Sequence, residues 1–211
     1  MKKYIRKDNE LIDPFIEDKM NKLTVEVPFE ILSNSELSLN EKLLLGLDFS
    51  FKSKLGFNQL TNKNVAELFS IHPNIVGNCR KKLVEMNYLI RQGRKYFLTD
   101  HYKSAEKSEE NHGNIENRYR RNIKIPFEIY SNTALKTGEK LLWGEYNSIS
   151  KGEKEYFASR EYTANRLSVS VESVSNWTKS LYEKDLFEDY VIISGYCSHQ
   201  RRIITYRFDD K

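Results

Sequence analysis

At 211 residues, with 39% hydrophobic and 12% aromatic side chains, the chain has the length for one large packed domain or two small ones, since domains run on the order of 100 to 150 residues. Charged residues of both signs make up 30%, and a net charge of +4 with a pI near 8.8 describes an ordinary globular surface that permits nucleic-acid binding without demanding it. No apolar run reaches the roughly 18 residues of a membrane span, no apolar run follows the basic N-terminus as in a signal peptide, and the two cysteines, Cys79 and Cys197, form no CxxC. The expectations are therefore a cytoplasmic protein with no membrane contact, no disulfide framework, no metal and no cofactor.

Residues 1–22 form an extension in which Tyr4, Ile5, Leu11, Ile12, Phe15, Ile16 and Met20 suit a short amphipathic helix on either side of Pro14, packed on the adjoining domain or serving as an oligomerisation arm. From Val27 the chain reads "VPFEILSNSELSLNEKLLLG", and from Ile125 it reads "IPFEIYSNTALKTGEKLLWG". Pro28 aligned with Pro126 gives an offset of 126 − 28 = 98, which holds without a gap through Glu41/Glu139, Lys42/Lys140, Ala66/Ala164, Val76/Val174, Asn78/Asn176, Lys81/Lys179 and Glu85/Glu183. Such a register marks two homologous modules, residues 23–99 and 121–208, joined by a polar linker over 100–120.

Each module opens with alternating residues, "LTVEV" or "NIKI", closed by a proline, which predicts a short strand. A helix comes next. Ser38 and Glu41 make a capping box before it, whereas Lys136 replaces the serine in the second copy. Gly46 and Gly144 sit inside that helix, unfavourable by roughly 1 kcal/mol against alanine, so a close backbone crossing is expected there. Thr61 and Ser159 are N-caps for a helix ending near Phe69 or Leu167, a three-residue turn succeeds it, and a second helix starts at Pro73 or Val171. Val76, Cys79 and Leu83, and likewise Val174, Trp177 and Leu181, recur at spacings of three and four as its buried stripe, and Tyr182 is also assigned to the core. Two extended runs around a turn, "YLIRQGRKYFLT" and the longer "FEDYVIISGYCSHQRRIITYRF", read as β-hairpins.

With these residues in view, "IPFEIYSN.ALKTGEKLLW" and "ASREYTANRLSVSVESVSNWTKSLYEKDLF" resemble the winged helix-turn-helix modules of replication initiators and regulators of plasmids, phages and other mobile elements, among which tandem copies occur. The likeness spans both modules, and departs from the usual pattern at the turn, where Ser70 and Ser168 stand at a place often held by glycine. It implies an α+β, mainly helical chain of two tandem winged-helix modules, each with a β-hairpin wing. Its implied partner is double-stranded DNA, with a second copy of the chain and the replication or transcription machinery as further candidates.

In such a module the second helix of the pair enters the major groove while the first braces it. The outward set is then Asn74, Gly77, Asn78, Arg80 and Lys81 in the first copy, and Ser170, Glu172, Ser173, Ser175, Asn176 and Lys179 in the second. Asn78 and Asn176 suit adenine, and Lys81 and Lys179 suit phosphate or guanine. Arg91, Arg94 and Lys95 on one hairpin, and His199, Gln200, Arg201 and Arg202 on the other, stand where a wing meets phosphates or a minor groove, with Arg121 in a further basic run. The expectation is sequence-specific binding of double-stranded DNA for replication initiation or transcription control. The alternative is a winged-helix interaction module that holds a partner protein. No phosphate loop, HxH pair or metal-spaced cluster appears, and Glu41 and Glu139 suit a helix first turn, so no catalysis is expected.

Overall fold

The computed structural model describes residues 23–103, 120–194 and 199–208. The 1–22 extension, most of the linker and Cys197 lie outside the described residues. The architecture is α+β and mainly helical, with three two-stranded antiparallel sheets among the described residues.

The halves run through the same elements. The first comprises β1 (Val25–Val27), α1 (Phe29–Leu32), α2 (Leu39–Leu55), α3 (Asn62–Phe69), α4 (Pro73–Glu85), β2 (Leu89–Gln92) and β3 (Lys95–Leu98). The second comprises β4 (Ile123–Ile125), α5 (Phe127–Tyr130), α6 (Thr137–Ser150), α7 (Arg160–Leu167), α8 (Val171–Glu183), β5 (Phe187–Ser194) and β6 (His199–Thr205). The one-turn helices α1 and α5, begun by Pro28 and Pro126, have no periodicity long enough to show in sequence.

Capping follows the side-chain chemistry. Ser38 and Glu41 close a full box on α2, while on α6 Glu139 still accepts from the Lys136 N–H at 2.7 Å although Lys136 offers no acceptor of its own. Thr61, His72, Ser159 and Ser170 each accept a backbone N–H at the starts of α3, α4, α7 and α8. Ser70 and Ser168 both take the left-handed conformation, with φ of 55° and 51°, so the turn keeps the geometry in which glycine is common. Residues just after Thr99 pack on the first half: Tyr102 is buried with its ring edge-on to Phe49, and Asp100 pairs with Lys52 at 2.7 Å.

The opening strand does not stay within its own half. β1 pairs with β4, in the register Val25↔Ile125, Glu26↔Lys124 and Val27↔Ile123. Under the 98-residue offset Lys124 is the counterpart of Glu26, and each outer residue faces the counterpart of the other, which is the signature of a local twofold axis through the central pair. Two halves of the same kind meeting this way would set like charges opposite each other, whereas unlike halves set Glu26 against Lys124. Val25, Val27, Ile123 and Ile125 are fully buried beneath α2 and α6. Gly46 and Gly144 make that close approach possible: a Cβ would lie 2.5 Å from Val27 Cγ2 and 2.8 Å from Ile125 Cγ1 respectively.

Two buried lysines close the seam reciprocally. Lys42 Nζ donates to the Leu167 carbonyl at the end of α7, and Lys140 Nζ donates to the Phe69 carbonyl at the end of α3, both at 2.7 Å. Each ammonium sits on the partial negative end of a helix in the opposite half, an arrangement worth up to ~2 kcal/mol when partly buried. Tyr130 OH to the Leu23 carbonyl at 3.0 Å, and the Arg166 guanidinium 5.1 Å from the Phe29 ring centre, add to the seam.

Burial lowers both lysine pKa values to about 8. Between there and the ordinary value of 10.5 the unfolded chain holds protons that the folded chain has released, so stability rises with pH across that window. Denaturation of wild type and of K42M/K140M at roughly pH 7.5 and 9.5 is expected to show the wild type gaining on the variant at the higher pH; an equal response by both contradicts the buried amines.

Candidate nucleic-acid interface

The turns held by Lys42 and Lys140 lead directly into α4 and α8, so the seam fixes where these two helices begin. α4 buries Val76, Cys79 and Leu83, and α8 buries Val174, Thr178 and Leu181. Trp177 is half-buried, its indole lying where a Cβ on Gly138 would be only 2.3 Å away. Tyr182 was expected in the core but is 55% exposed, because the chain turns at Asp185 and leaves its ring against Tyr190 on the surface of the hairpin.

The outward faces carry equivalent stripes. Asn74, Asn78 and Lys81 are exposed at positions i, i+4 and i+7 of α4, and Glu172, Asn176 and Lys179 occupy the corresponding positions of α8. The asparagine side chains make no hydrogen bond among the described residues, and the two lysines hold only exposed partners, Glu85 at 3.9 Å and Glu183 at 3.8 Å. Exposed pairs of this kind are worth ~0.2–1 kcal/mol and release readily to a better anion. Ser170 caps α8 from an exposed position and shares a hydroxyl contact with Ser173, so both oxygens are engaged, and Ser173 and Ser175 are half-buried. Ile75 and Val171, each 39% exposed, also lie on these faces, and a stripe drawn from polar residues alone does not include them.

Several assigned positions are corrected. Arg80 does not face outward: it is 2% exposed, its NH1 donates to Asn62 Oδ1 at 2.7 Å and its guanidinium lies 4.2 Å from the centre of the Tyr96 ring on β3. The physical reason is the position of Arg80 beside the buried stripe, where the long side chain runs under the hairpin instead of into solvent. Gly77 turns toward α3, with Asn62 Nδ2 3.1 Å from where its Cβ would be. Arg201 is 5% exposed and donates to Tyr146 OH at 2.7 Å, Thr178 Oγ1 at 3.2 Å and Thr163 Oγ1 at 3.1 Å. Arg121 is held by the buried Glu145 carboxylate, Ser148 and Tyr162 OH, with Arg166 and Tyr156 on the same carboxylate. These three arginines satisfy buried acceptors and are not available to a phosphate.

The hairpins divide in the same way. On the first, Arg94 and Lys95 are exposed, Lys95 Nζ lying 4.1 Å from the Phe57 ring centre, and Arg91 donates back to the Gly93 carbonyl at 3.1 Å across the turn. On the second, Arg202 is half-exposed and pairs with Glu155 at 2.9 Å, whereas the side chains of His199 and Gln200 lie outside the described residues. Val191, Ile192 and Ile193 on β5 are between 39% and 52% exposed, a run of three apolar residues, whereas the basic first hairpin exposes Ile90 alone on β2.

Among the described residues no group of three or more His, Cys, Asp or Glu side chains could hold a metal ion, and no helix is long and apolar enough to cross a membrane. The model of no known protein family matches the chain, and a search of curated proteins finds no similar sequence.

Beneath the first hairpin, Asp48 is 2% exposed; Asn58 Nδ2 donates to its Oδ1 at 2.7 Å and its Oδ2 has no partner among the described residues. Burial pushes its carboxyl up to about 7, against the opposing pull of Asn58 and Arg80. In the unfolded chain it titrates near 3.8, so between there and 7 the folded form holds a proton that the unfolded form lacks, and its contribution to stability falls as pH rises through that window. D48N removes this dependence: denaturation at roughly pH 5 and 8 is expected to show the wild type losing stability relative to the variant at the higher pH, and a difference that does not change with pH contradicts the buried acid.

Proposed function

We propose that the chain is a sequence-specific double-stranded DNA-binding protein made of two tandem winged-helix modules, α4 and α8 being the reading helices and the two hairpins the wings. The observation that carries the reading is the pair of stripes Asn74–Asn78–Lys81 and Glu172–Asn176–Lys179, exposed at equivalent positions of two helices related by the twofold seam. An asparagine amide can bond adenine through two hydrogen bonds, an acid accepts from cytosine N4, and the lysines reach guanine or phosphate. Arg94 and Lys95 supply exposed charge for the flanking backbone on the first wing.

Two modules related by a twofold axis and engaged on one duplex read their half-sites in inverted orientation. Since the stripes differ at Asn74/Glu172 and in the residues between, the half-sites are inverted but unlike in sequence. One chain then covers what a homodimer covers elsewhere, with half-sites about 10 base pairs apart. The protein has no catalytic role in this reading; it acts at a mobile element's origin as a replication initiator, or at its promoter as a transcription regulator.

Mobility-shift titration on duplex from the gene's own neighbourhood, with random duplex as competitor, tests the proposal. N78A/K81A and N176A/K179A are each expected to weaken binding to that duplex by ~10-fold or more, on the scale of one or two lost base contacts. Wild type that binds both duplexes alike rules the reading out. The exposed Val191, Ile192 and Ile193 favour a second reading for the second hairpin alone, a protein contact with replication or transcription machinery. V191S/I193S with unchanged DNA binding and lost function in the cell is the outcome that distinguishes it.

A further inference from the structure

Both halves bury a guanidinium at the junction of first helix, reading helix and hairpin, yet they take it from different elements. In the first half it comes from α4: Arg80 passes beneath β3, stacks on Tyr96 and bonds Asn62 at the start of α3, near Asp48 of α2. In the second half it comes from β6: Arg201 points inward to Thr178 of α8, Tyr146 of α6 and Thr163 of α7. The 98-residue offset makes Thr178 the counterpart of Arg80 and Tyr146 the counterpart of Asp48, so the two cations enter one junction from opposite sides. The hairpins are anchored there alike, Asn58 pairing with Tyr96 through backbone bonds of 2.9 and 2.8 Å, and its counterpart Tyr156 with Ile203 through bonds of 2.8 and 3.1 Å.

Stability alone does not account for these arginines. Among the described residues Arg80 Nε and NH2, and Arg201 Nε, are buried without a hydrogen-bond partner, and each such unsatisfied donor costs stability instead of adding to it. What a planar guanidinium adds is direction, because its fork and its stacking face admit one relative placement of the groups around it. Resting on the DNA-binding reading above, we propose that Arg80 and Arg201 are positioning residues that fix each hairpin relative to its reading helix, and thereby set the register in which helix and hairpin engage one half-site together. Neither touches DNA; each acts through the two elements that do.

The test compares wild type with R80M, R201M, R80K and R201K. Three quantities are read: thermal midpoint, the ratio of affinities for own-neighbourhood and random duplex, and hydroxyl-radical protection over the wing contacts. The methionine variants are expected to keep or raise the midpoint while the affinity ratio falls ~10-fold, the scale of one lost base contact, and protection at the corresponding wing weakens; the lysine variants, which keep charge but not the fork, recover little of it. Y96L and T178V remove a partner without touching the buried cation and are expected to move the ratio in the same direction, which serves where a methionine variant does not fold. A lower midpoint with an unchanged ratio and footprint shows packing alone and overturns the proposal. Wild type that does not discriminate between the duplexes overturns the DNA-binding reading and this inference with it, whereas a wild type that discriminates beside variants that discriminate equally overturns only the positioning role.

Discussion

The pairing of β1 with β4 is the constraint on which the rest of the structure depends. Two three-residue strands are too short to be stable as an isolated ribbon, and they persist because α2 and α6 cover them at glycine distance, leaving Val25, Val27, Ile123 and Ile125 with no exposed surface. The register imposes a local twofold axis. That axis then decides which helix end each of the two equivalent lysines meets, so Lys42 and Lys140 become reciprocal links between the halves. Through the Phe69 and Leu167 carbonyls the seam reaches the turns before α4 and α8. The two outward stripes are therefore related to each other by strand pairing at the far end of the same core.

The repeat of "PFEI..SN..L...EKLL.G" takes its physical meaning from that seam. A patch that must match its own counterpart across a twofold axis is held to one sequence on both sides, whereas an outward helix face has no such requirement. Similarity between the halves is accordingly greatest at the seam and falls along α4 and α8, where Asn74 stands against Glu172 and Arg80 against Thr178. Within the strand pair, the central position departs from identity, Glu26 against Lys124, at the place where identity would set like charges in contact.

Much of the fold was legible in the sequence because helix starts and stops are local chemistry. Thr61, Ser159 and Pro73 marked ends that the structure reproduces, and Gly46 and Gly144 marked a close crossing whose partner is the opening strand. The pairing partner of that strand was not legible, since alternation of apolar residues says that a strand has a buried face and nothing about which strand lies beside it. Among the candidate site residues, those far from the buried stripe, Asn74, Asn78, Lys81, Glu172, Asn176 and Lys179, are exposed as expected. Of the corrected positions, Arg80, Arg121 and Arg201 are cations long enough to reach acceptors contributed by distant parts of the chain, Asn62, Glu145, and the Tyr146, Thr163 and Thr178 hydroxyls, while Gly77 turns toward α3 and Tyr182 lies on the surface. Periodicity measures where a Cβ points, and an arginine head sits several ångströms beyond it.

One chain holds two related but unlike outward helix faces on either side of a twofold seam, and we propose that both read DNA. Selection of bound sequences from a pool of randomised duplex by the whole chain is the test. The expected result is one enriched site made of two unlike blocks in inverted orientation, their centres about one helical turn, ~10 base pairs, apart. No enrichment, a single block, or two blocks repeated in the same orientation would contradict it.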